Sequence, residues 1–362
     1  GKAKFFCLTI YIKFMRQMAI DLEQHQVFMR RAIELAQLGL GSASPNPLVG
    51  CVIVKDGLVI GEGWHRKYGE AHAEVNAVNA VKDPEQLKGA IVYVTLEPCS
   101  HFGKTPPCAD LLISKQVAVV IVAVEDPNPH VAGRGIEKLN QAGITVQLGL
   151  LAEEATWVNR RFLTAMKDHR PYIILKWAQT MDGFVARENH DSKWISNAYS
   201  RKLVHKWRTE EDAILVGSNT VAYDNPQLTA RDWPGKNPVR VVLDPGDELD
   251  GNYHVLNGSV STIIYTTIQE SIDANLELVK VDAHHYLPEV LADLRRRNIR
   301  SVIIEGGAKT LESFIEMNLW DEARVFYAPT TFTTGIKAPV CGGTILSKED
   351  ILGDTFITYT RN

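Results

Sequence analysis

Short apolar runs alternate with amphipathic stretches along the first half of the chain. Apolar residues recur at helical spacing from His25 to Leu38, and Gly39 and Gly41 end that run, which predicts a helix. Two alternating segments on either side of Asp56-Gly57 predict a β-hairpin. Strands are predicted at 49–54, 58–64, 90–95, 117–124 and 144–148, and further helices at 71–81, 108–114, 133–142 and 151–166. This alternation is typical of a three-layer α/β domain.

The pattern restarts after a polar break at residues 167–171. Beyond it, strands are predicted at 172–177, 213–216, 239–243, 262–265, 301–305 and 322–328, and helices at 200–209 and 310–318. A chain of 362 residues is long enough for two domains of ordinary size. We therefore expect one α/β domain at 18–168 and a second at 169–362, with a last strand near 357–362.

Residues 1–17 are weakly similar to a secretory signal peptide. The apolar run from Phe5 to Ile12 is short, Lys13 and Arg16 follow it, and no small-residue cleavage pattern comes after them. The run is also too short to span a bilayer. We interpret residues 1–17 as an extension before the first domain and not as a targeting signal.

The composition is that of a soluble globular protein, with 45% hydrophobic and 23% charged residues and a net charge of -4. A nucleic-acid partner is disfavoured, because neutralising phosphates requires clustered Lys and Arg and the chain has no long basic run. No stretch is apolar enough to predict a membrane helix.

The five cysteines are sparse and odd in number, which fits cytosolic thiols and a metal site better than a disulfide framework. We therefore expect a cytoplasmic protein.

One constellation carries distinctive chemistry: His72, Glu74, Cys99 and Cys108. One imidazole and two thiolates predict a zinc ion with three protein ligands, which leaves the fourth position for water. Bound zinc lowers the pKa of water to about 7. Glu74 is placed to move protons, as in the nucleobase deaminases, whose signature is H-x-E followed by P-C-x-x-C. Here the second cysteine lies nine positions after the first instead of three.

A structural zinc site is the alternative interpretation of this constellation. Such sites normally have four protein ligands, and His101 is the available fourth. Glu74 has no evident purpose in a structural site, whereas Cys108 lies at a predicted helix start, which favours the thiolate. We therefore favour a catalytic zinc site.

The long insert between the cysteines, with the segments Ser44 to Gly50 and Gly63 to His65, resembles the pyrimidine deaminase half of the bifunctional riboflavin-biosynthesis enzymes. The resemblance implies a cytidine-deaminase-like three-layer α/β/α fold for the N-terminal domain. It also implies that four residues hold the base or the ribose phosphate of the substrate: Asn46, His65, His101 and Lys104. Surface-loop histidines are the alternative interpretation of His65 and His101.

The same family predicts a reductase downstream. The segments Leu175 to Gly183, Lys193 to Ser196 and Gly217 to Arg231 resemble that reductase, whose fold is like that of dihydrofolate reductase. By this resemblance NADPH contacts Ala178, Trp194, Thr220, Asp224, Gly307, Ala308, Lys309 and Thr310. The substrate contacts Ser192, Arg208, Leu228, Arg231 and Glu305. The family usually continues with one more strand beyond residue 362.

The residues themselves support parts of this assignment. No G-x-G-x-x-G motif follows a strand, so a Rossmann site is not indicated. Gly306-Gly307 stands between a predicted strand and a predicted helix, where backbone N–H groups can cradle a pyrophosphate, although a plain turn is the simpler interpretation. Arg208 and Arg231 suit a ribose phosphate, because a guanidinium group can bind phosphate through two hydrogen bonds.

The resulting hypothesis is a bifunctional enzyme with one zinc ion per chain. A zinc-dependent hydrolase would deaminate 2,5-diamino-6-ribosylamino-4(3H)-pyrimidinone 5′-phosphate, and an NADPH-dependent oxidoreductase would reduce the ribosyl group to ribityl. Two alternatives stay open: a cytosine-type or tRNA deaminase fused to an unrelated domain, and a degenerate deaminase scaffold without activity. The resemblance also implies a homo-oligomer, a dimer or a tetramer.

Overall fold

Separate hydrophobic cores form on the two sides of the junction between Lys167 and Asp168, where the chain divides into two units. The structure is a computed structural model that describes residues 22–100, 106–127 and 132–361. The extension predicted at 1–17 lies outside the described residues. Each unit has its own mixed α/β architecture.

The first unit is built on a five-stranded sheet in the order β2-β1-β3-β4-β5. Its strands are β1 (Gly50–Lys55), β2 (Leu58–Trp64), β3 (Ile91–Leu96), β4 (Val119–Val124) and β5 (Thr145–Leu148). β1 runs antiparallel to β2 and β3, whereas β3, β4 and β5 are parallel. The parallel strands are connected through helices, as parallel pairing requires.

Among the described residues, six α-helices accompany this sheet. They are α1 (22–37), α2 (Ala73–Ala80), α3 (Cys108–Ser114), α4 (Arg134–Gln141), α5 (Ala152–Val158) and α6 (Arg160–Lys167). Cys51 and Ile53 belong to one core with residues of α2, α3 and α4, and Val52 and Val54 belong to the other with residues of α1 and α5. Successive strand residues point to opposite faces, so this division gives the predicted three layers.

The helix predicted at 151–166 is wrong in one respect, because the chain forms two helices with Asn159 between them. Asn159 is buried, and its side-chain amide makes two hydrogen bonds with the backbone of Leu48. Asn side chains readily form hydrogen bonds with backbone groups outside regular helices. The bonds of Asn159 with Leu48 therefore explain why the helix is interrupted at this residue.

Glycine and alanine let the backbones of β2 and α2 touch. A Cβ atom at Gly63 would lie 2.3 Å from the backbone nitrogen of Ala77 and 2.5 Å from the backbone oxygen of Ala73. Gly61 approaches the backbone of Ala77 in the same way. The position of α2 on the sheet is therefore set by main-chain contact.

The second unit contains a ten-stranded sheet in the order β11-β12-β10-β9-β8-β13-β6-β14-β17-β16. Its strands are β6 (Tyr172–Thr180), β8 (Ala213–Gly217), β9 (Val239–Leu243), β10 (Thr262–Thr266), β11 (Ser271–Asp273), β12 (Leu276–Lys280), β13 (Ser301–Ile304), β14 (Glu322–Ala328), β16 (Gly343–Ile351) and β17 (Asp354–Arg361). A separate pair is formed by β7 (Phe184–Ala186) and β15 (Ile336–Lys337). The sheet is parallel from β12 to β14 and antiparallel at both ends.

Four helices complete the second unit: α7 (Ala198–Glu210), α8 (Ser218–Asp224), α9 (Tyr286–Arg296) and α10 (Ala308–Glu316). The sequence interpretation missed α8 and α9, although Leu287, Val290, Leu291 and Leu294 bury one face of α9. The predicted last strand is β17, and it pairs on both sides, with β14 and with β16. β16 thus lies at the sheet edge instead of β17.

Within 22–100, 106–127 and 132–361, each helix is too short or too polar to traverse a lipid bilayer.

We predict that Gly63→Ala destabilises the first unit by about 1–3 kcal/mol, because the new Cβ meets backbone atoms that cannot rotate away. Denaturant unfolding would measure the change. Gly342→Ala is the control, since a Cβ there meets no heavy atom within 4 Å, and its effect should stay within about 0.5 kcal/mol. Equal stability of both variants would show that β2 and α2 adjust without cost.

Candidate functional site

Three predicted metal ligands converge in the first unit. His72 Nδ1 lies 3.6 Å from Cys99 Sγ and 3.4 Å from Cys108 Sγ. One donor atom from each residue lies within 4.8 Å of the other two, and no other such His, Cys, Asp or Glu group occurs among the described residues. Imidazole and thiolate donors at this spacing suit zinc. The structure therefore brings together the three residues that fit the ion.

Different elements supply the three donors. His72 is the N-cap residue of α2 with extended backbone, Cys99 follows the end of β3, and Cys108 begins α3. The backbone N–H of Cys108 donates to Cys99 Sγ at 3.3 Å. Hydrogen bonding with Cys108 and with His72 lowers the pKa of Cys99 against the opposing effect of burial, and the hydrogen bond between the two cysteines raises the pKa of Cys108. The surroundings therefore favour a thiolate at Cys99, which is the form that a metal ligand requires.

Glu74 lies in the first turn of α2 and is only 3% exposed. Burial raises the pKa of Glu74 to about 7, and the negative charge of Cys99 adds to the effect. A carboxyl group with a pKa near neutrality can both accept and donate a proton under physiological conditions. The geometry therefore suits proton transfer next to the three ligands.

The predicted substrate residues Asn46 and His65 also reach this centre. Asn46 Nδ2 lies 3.1 Å from His65 Nε2, and the His65 ring meets the His72 ring edge-on at 5.6 Å between centroids. Burial lowers the pKa of His65, which favours the neutral ring. The side chain of Asn159 holds Leu48, two residues after Asn46, with both bonds at 2.7 Å. His101 and Lys104 lie outside the described residues.

A cavity of about 890 Å³ occupies the second unit. All thirteen predicted cofactor and substrate residues of that unit line it: Ala178, Ser192, Trp194, Thr220, Asp224, Gly307, Ala308, Lys309, Thr310, Arg208, Leu228, Arg231 and Glu305. Ligand pockets usually measure about 300–1,000 Å³, so this cavity is at the upper end of that range. It is large enough for a nicotinamide dinucleotide.

A buried ion cluster forms the floor of the cavity. Glu305 accepts two hydrogen bonds from Arg208, each at 2.8 Å, and Lys176 Nζ lies 3.7 Å from the same carboxylate. Burial alone would raise the pKa of Glu305, but the charges of Arg208 and Lys176 outweigh it and lower the pKa to about 2. Arg208 also donates to the carbonyl oxygen of Thr229 at 2.9 Å. The guanidinium fork expected to bind phosphate is thus engaged by Glu305, whereas Arg231 has an exposed side chain.

Two helix starts meet the other wall of the cavity. Gly307 is the N-cap residue of α10, and as a glycine it has no side chain that could cap the helix. Its backbone N–H donates to Thr220 Oγ1 of α8 at 2.9 Å. A Cβ at Gly306 would lie 2.7 Å from Val216 Cα, so only glycine fits between the two strands there. The open first turn of α10 suits a pyrophosphate.

The rim combines polar and aromatic groups. Ser192 donates to Asp224 at 3.5 Å, and burial raises the pKa of Asp224. Trp194 is 66% exposed, with Arg201 stacked 4.4 Å from its ring centroid. An exposed aromatic surface beside a cavity is well suited to stack on a planar ligand.

Among the residues lining this cavity that sequence reasoning missed are two whose pKa is lowered by burial. Lys176 and His205 both line it, and burial lowers the pKa of each, that of His205 to about 4. Lys176 belongs to the segment Leu175 to Gly183 that resembles the reductase. Its burial beside Glu305 follows from the pairing of β6 with β13, which the local sequence pattern does not reveal. His205 lies on the buried face of α7 and bonds Asp232 at 3.2 Å.

Two family models match the chain. Residues 22–124 match the cytidine and deoxycytidylate deaminase zinc-binding region, and residues 171–349 match the RibD C-terminal domain. The first match contains all three candidate metal ligands. The second contains the whole set of predicted cavity residues.

Relatives and solved structures align over most of the chain. The riboflavin biosynthesis protein RibD of Bacillus amyloliquefaciens is 44% identical over 350 residues, covering 93% of each chain. That of Escherichia coli is 39% identical over 84% of this chain and 88% of the relative. The crystal structure of a diaminohydroxyphosphoribosylaminopyrimidine deaminase/5-amino-6-(5-phosphoribosylamino)uracil reductase from Thermotoga maritima superposes with a TM-score of 0.88 at 37% identity. It covers 94% of this chain and 100% of that chain.

We predict that Arg208→Met destabilises the second unit by about 3 kcal/mol, because it leaves Glu305 buried with Lys176 as its remaining cation. The double variant with Glu305→Gln should recover part of the loss. Since the lowered pKa of Glu305 stabilises the fold above about pH 4.5 and this contribution disappears as pH falls toward 2, the difference between variants should shrink in acid. Denaturant unfolding from pH 7 to pH 3 measures it. A difference in the free energy of unfolding that does not change with pH would contradict a stabilising role for the charge of Glu305.

Proposed function

Because the chain belongs to the RibD family of riboflavin-biosynthesis enzymes, we propose a division of its two reactions between the residues of the two units. The protein is a bifunctional deaminase and reductase of riboflavin biosynthesis. We assign deamination to residues 18–168 and reduction to residues 169–362. The substrate of the first reaction is the diaminopyrimidine ribosyl 5′-phosphate, and its deaminated product is the substrate of the second.

The first unit provides the hydrolytic site. His72, Cys99 and Cys108 would hold zinc, which supplies a Lewis acid that makes water nucleophilic at neutral pH. Glu74 would take one proton from the attacking water and pass it to the ring nitrogen, and would then carry the second proton of that water to the amino group, which leaves as ammonia. Asn46 and His65 would orient the base, together with His101 and Lys104. The buried position of Glu74 in the first turn of α2, two residues after His72, is the observation that carries this assignment.

The second unit provides the reductive site. NADPH supplies the hydride, and the protein supplies orientation and exclusion of water. The first turn of α10, from Gly307 to Thr310, would hold the pyrophosphate, with Ala178, Trp194, Thr220 and Asp224 along the rest of the cofactor.

The substrate would lie on the other side of the cavity, against Ser192, Leu228, Glu305 and the two arginines. Arg231, whose side chain is exposed, is the better candidate for the ribose phosphate, because the fork of Arg208 is held by Glu305. Arg208 would then act by fixing Glu305 next to Lys176.

We also propose a cytoplasmic homo-oligomer that acts on small phosphorylated pyrimidines. The four described cysteines form no disulfide among themselves, which fits a reducing compartment. Sedimentation of the purified chain would distinguish a dimer or tetramer from a monomer.

Glu74→Gln is predicted to keep one zinc per chain and to lower the rate of ammonia release by at least about 100-fold, because a neutral amide cannot carry the proton. NADPH oxidation with the deaminated substrate should be unchanged. The reciprocal variant, Arg231→Met, should impair reduction and spare deamination. Ammonia release, NADPH absorbance and zinc content measure the three effects. Deamination that survives in Glu74→Gln would rule out the proposed role.

A further inference from the structure

Glu97 is a buried carboxylate two residues before the ligand Cys99. It is 4% exposed, and its backbone N–H donates to the carbonyl oxygen of Val124 at 2.9 Å, so its main chain prolongs the pairing of β3 with β4. In the part of the chain that the structure describes, the partners of its carboxylate are backbone N–H groups. A buried carboxylate needs such donors, because desolvation otherwise makes its charge costly.

Among the described residues, two backbone N–H groups donate to each oxygen. Gly135 and Ile136 donate to Oε1 at 2.8 and 3.3 Å. Gly133 and Asp126 donate to Oε2 at 3.0 and 3.2 Å. The carboxylate therefore joins the end of β4 to the first turn of α4, where an anion is also favoured by the helix dipole.

The same helix start presses against the turn that carries Cys99. A Cβ at Gly135 would lie 2.0 Å from the carbonyl oxygen of Pro98, which leaves no space for any residue but glycine. Beyond Pro98, the carbonyl oxygen of Cys99 accepts from the N–H of Ala109 at 3.1 Å. The backbone at Pro98-Cys99 is thus held between α3 and α4, and Glu97 fixes α4 in that contact.

We propose that Glu97 is a positioning residue for the metal centre: through α4 it fixes the turn that presents Cys99 Sγ to His72 and Cys108. This inference rests on the proposed function of those three ligands as a zinc site. It assigns Glu97 an effect on metal affinity and ligand geometry that a helix cap alone does not have. Residues that orient metal ligands from outside the ligand set typically change metal affinity by about 10–100-fold when replaced.

Glu97→Gln is the test, because glutamine has the same shape but one of its two acceptor oxygens becomes an NH₂ group. That NH₂ would face two backbone N–H donors wherever the amide is turned. We expect zinc affinity, measured by competition with a chromophoric chelator, to fall about 10–100-fold. With cobalt(II) in place of zinc, the absorption bands of the thiolate-bound ion should shift. Deamination should be low at limiting zinc and recover with excess zinc.

Glu137→Gln is the matched control, since Glu137 is exposed on the same helix and bonds only Gln141 among the contacts described for it. It should leave zinc affinity and the cobalt spectrum unchanged. Glu97→Asp keeps two acceptor oxygens on a shorter side chain and is expected to lie between the wild type and Glu97→Gln. It provides the measurement if Glu97→Gln does not fold.

Two further outcomes separate this inference from the proposed function. One equivalent of zinc in the wild type, lost in His72→Ala, establishes the metal site itself. With that site established, a Glu97→Gln protein of lowered melting temperature but unchanged zinc affinity and cobalt spectrum overturns the positioning role alone. A wild type that binds no zinc overturns both.

Discussion

Main-chain contact between α2 and β2 is the constraint on which the first site depends. It is possible because Gly61 and Gly63 present no side chain to Ala73 and Ala77. The contact holds the first turn of α2 over the sheet, so that His72 and Glu74 meet the two cysteines that follow β3 and begin α3. Protein interiors are closely packed, so an added methyl group at this contact would push α2 away from the sheet. That shift would move His72 and Glu74 together.

Buried carboxylates serve three different ends in this chain, and their partners decide which. Glu74 is buried next to the negative charge of Cys99, so its pKa rises to about 7 and it is suited to exchange protons. Glu305 has Arg208 and Lys176, so its pKa falls to about 2 and it stays charged. Glu97 has four backbone N–H groups and holds the chain in place. Residue type alone therefore does not assign a role.

Much of the architecture follows from local sequence patterns. The hairpin at Asp56-Gly57 and the strand at 58–64 were predictable because alternation and turn chemistry are local, and both are present. The helix break at Asn159 was not, because it depends on hydrogen bonds to Leu48, 111 residues away in the chain. Strand β11 is exposed and only three residues long, and β12 is a half-buried strand of five residues, so neither gives a long enough pattern to be recognised.

The residues of the candidate sites are also of two kinds: some are recognisable from the local sequence, and others depend on tertiary packing. The spacing of His72, Glu74, Cys99 and Cys108 indicated a metal centre because each residue type is chemically distinctive. The roles of Lys176, His205 and Glu97 depend on which elements pack together, and no local pattern reveals that. The engagement of Arg208 by Glu305 likewise comes from tertiary structure, 97 residues apart in sequence.

We propose that one chain carries out two consecutive reactions at two separate sites. The most direct measurement supplies the purified chain with the diaminopyrimidine ribosyl phosphate and NADPH, and follows ammonia release and NADPH oxidation in the same sample. We expect one NADPH oxidised per ammonia released, with ammonia appearing first. We also expect zinc removal to stop both reactions, and the added deaminated intermediate to restore only NADPH oxidation. NADPH oxidation that proceeds from the diamino compound without ammonia release would rule out this order of the two reactions.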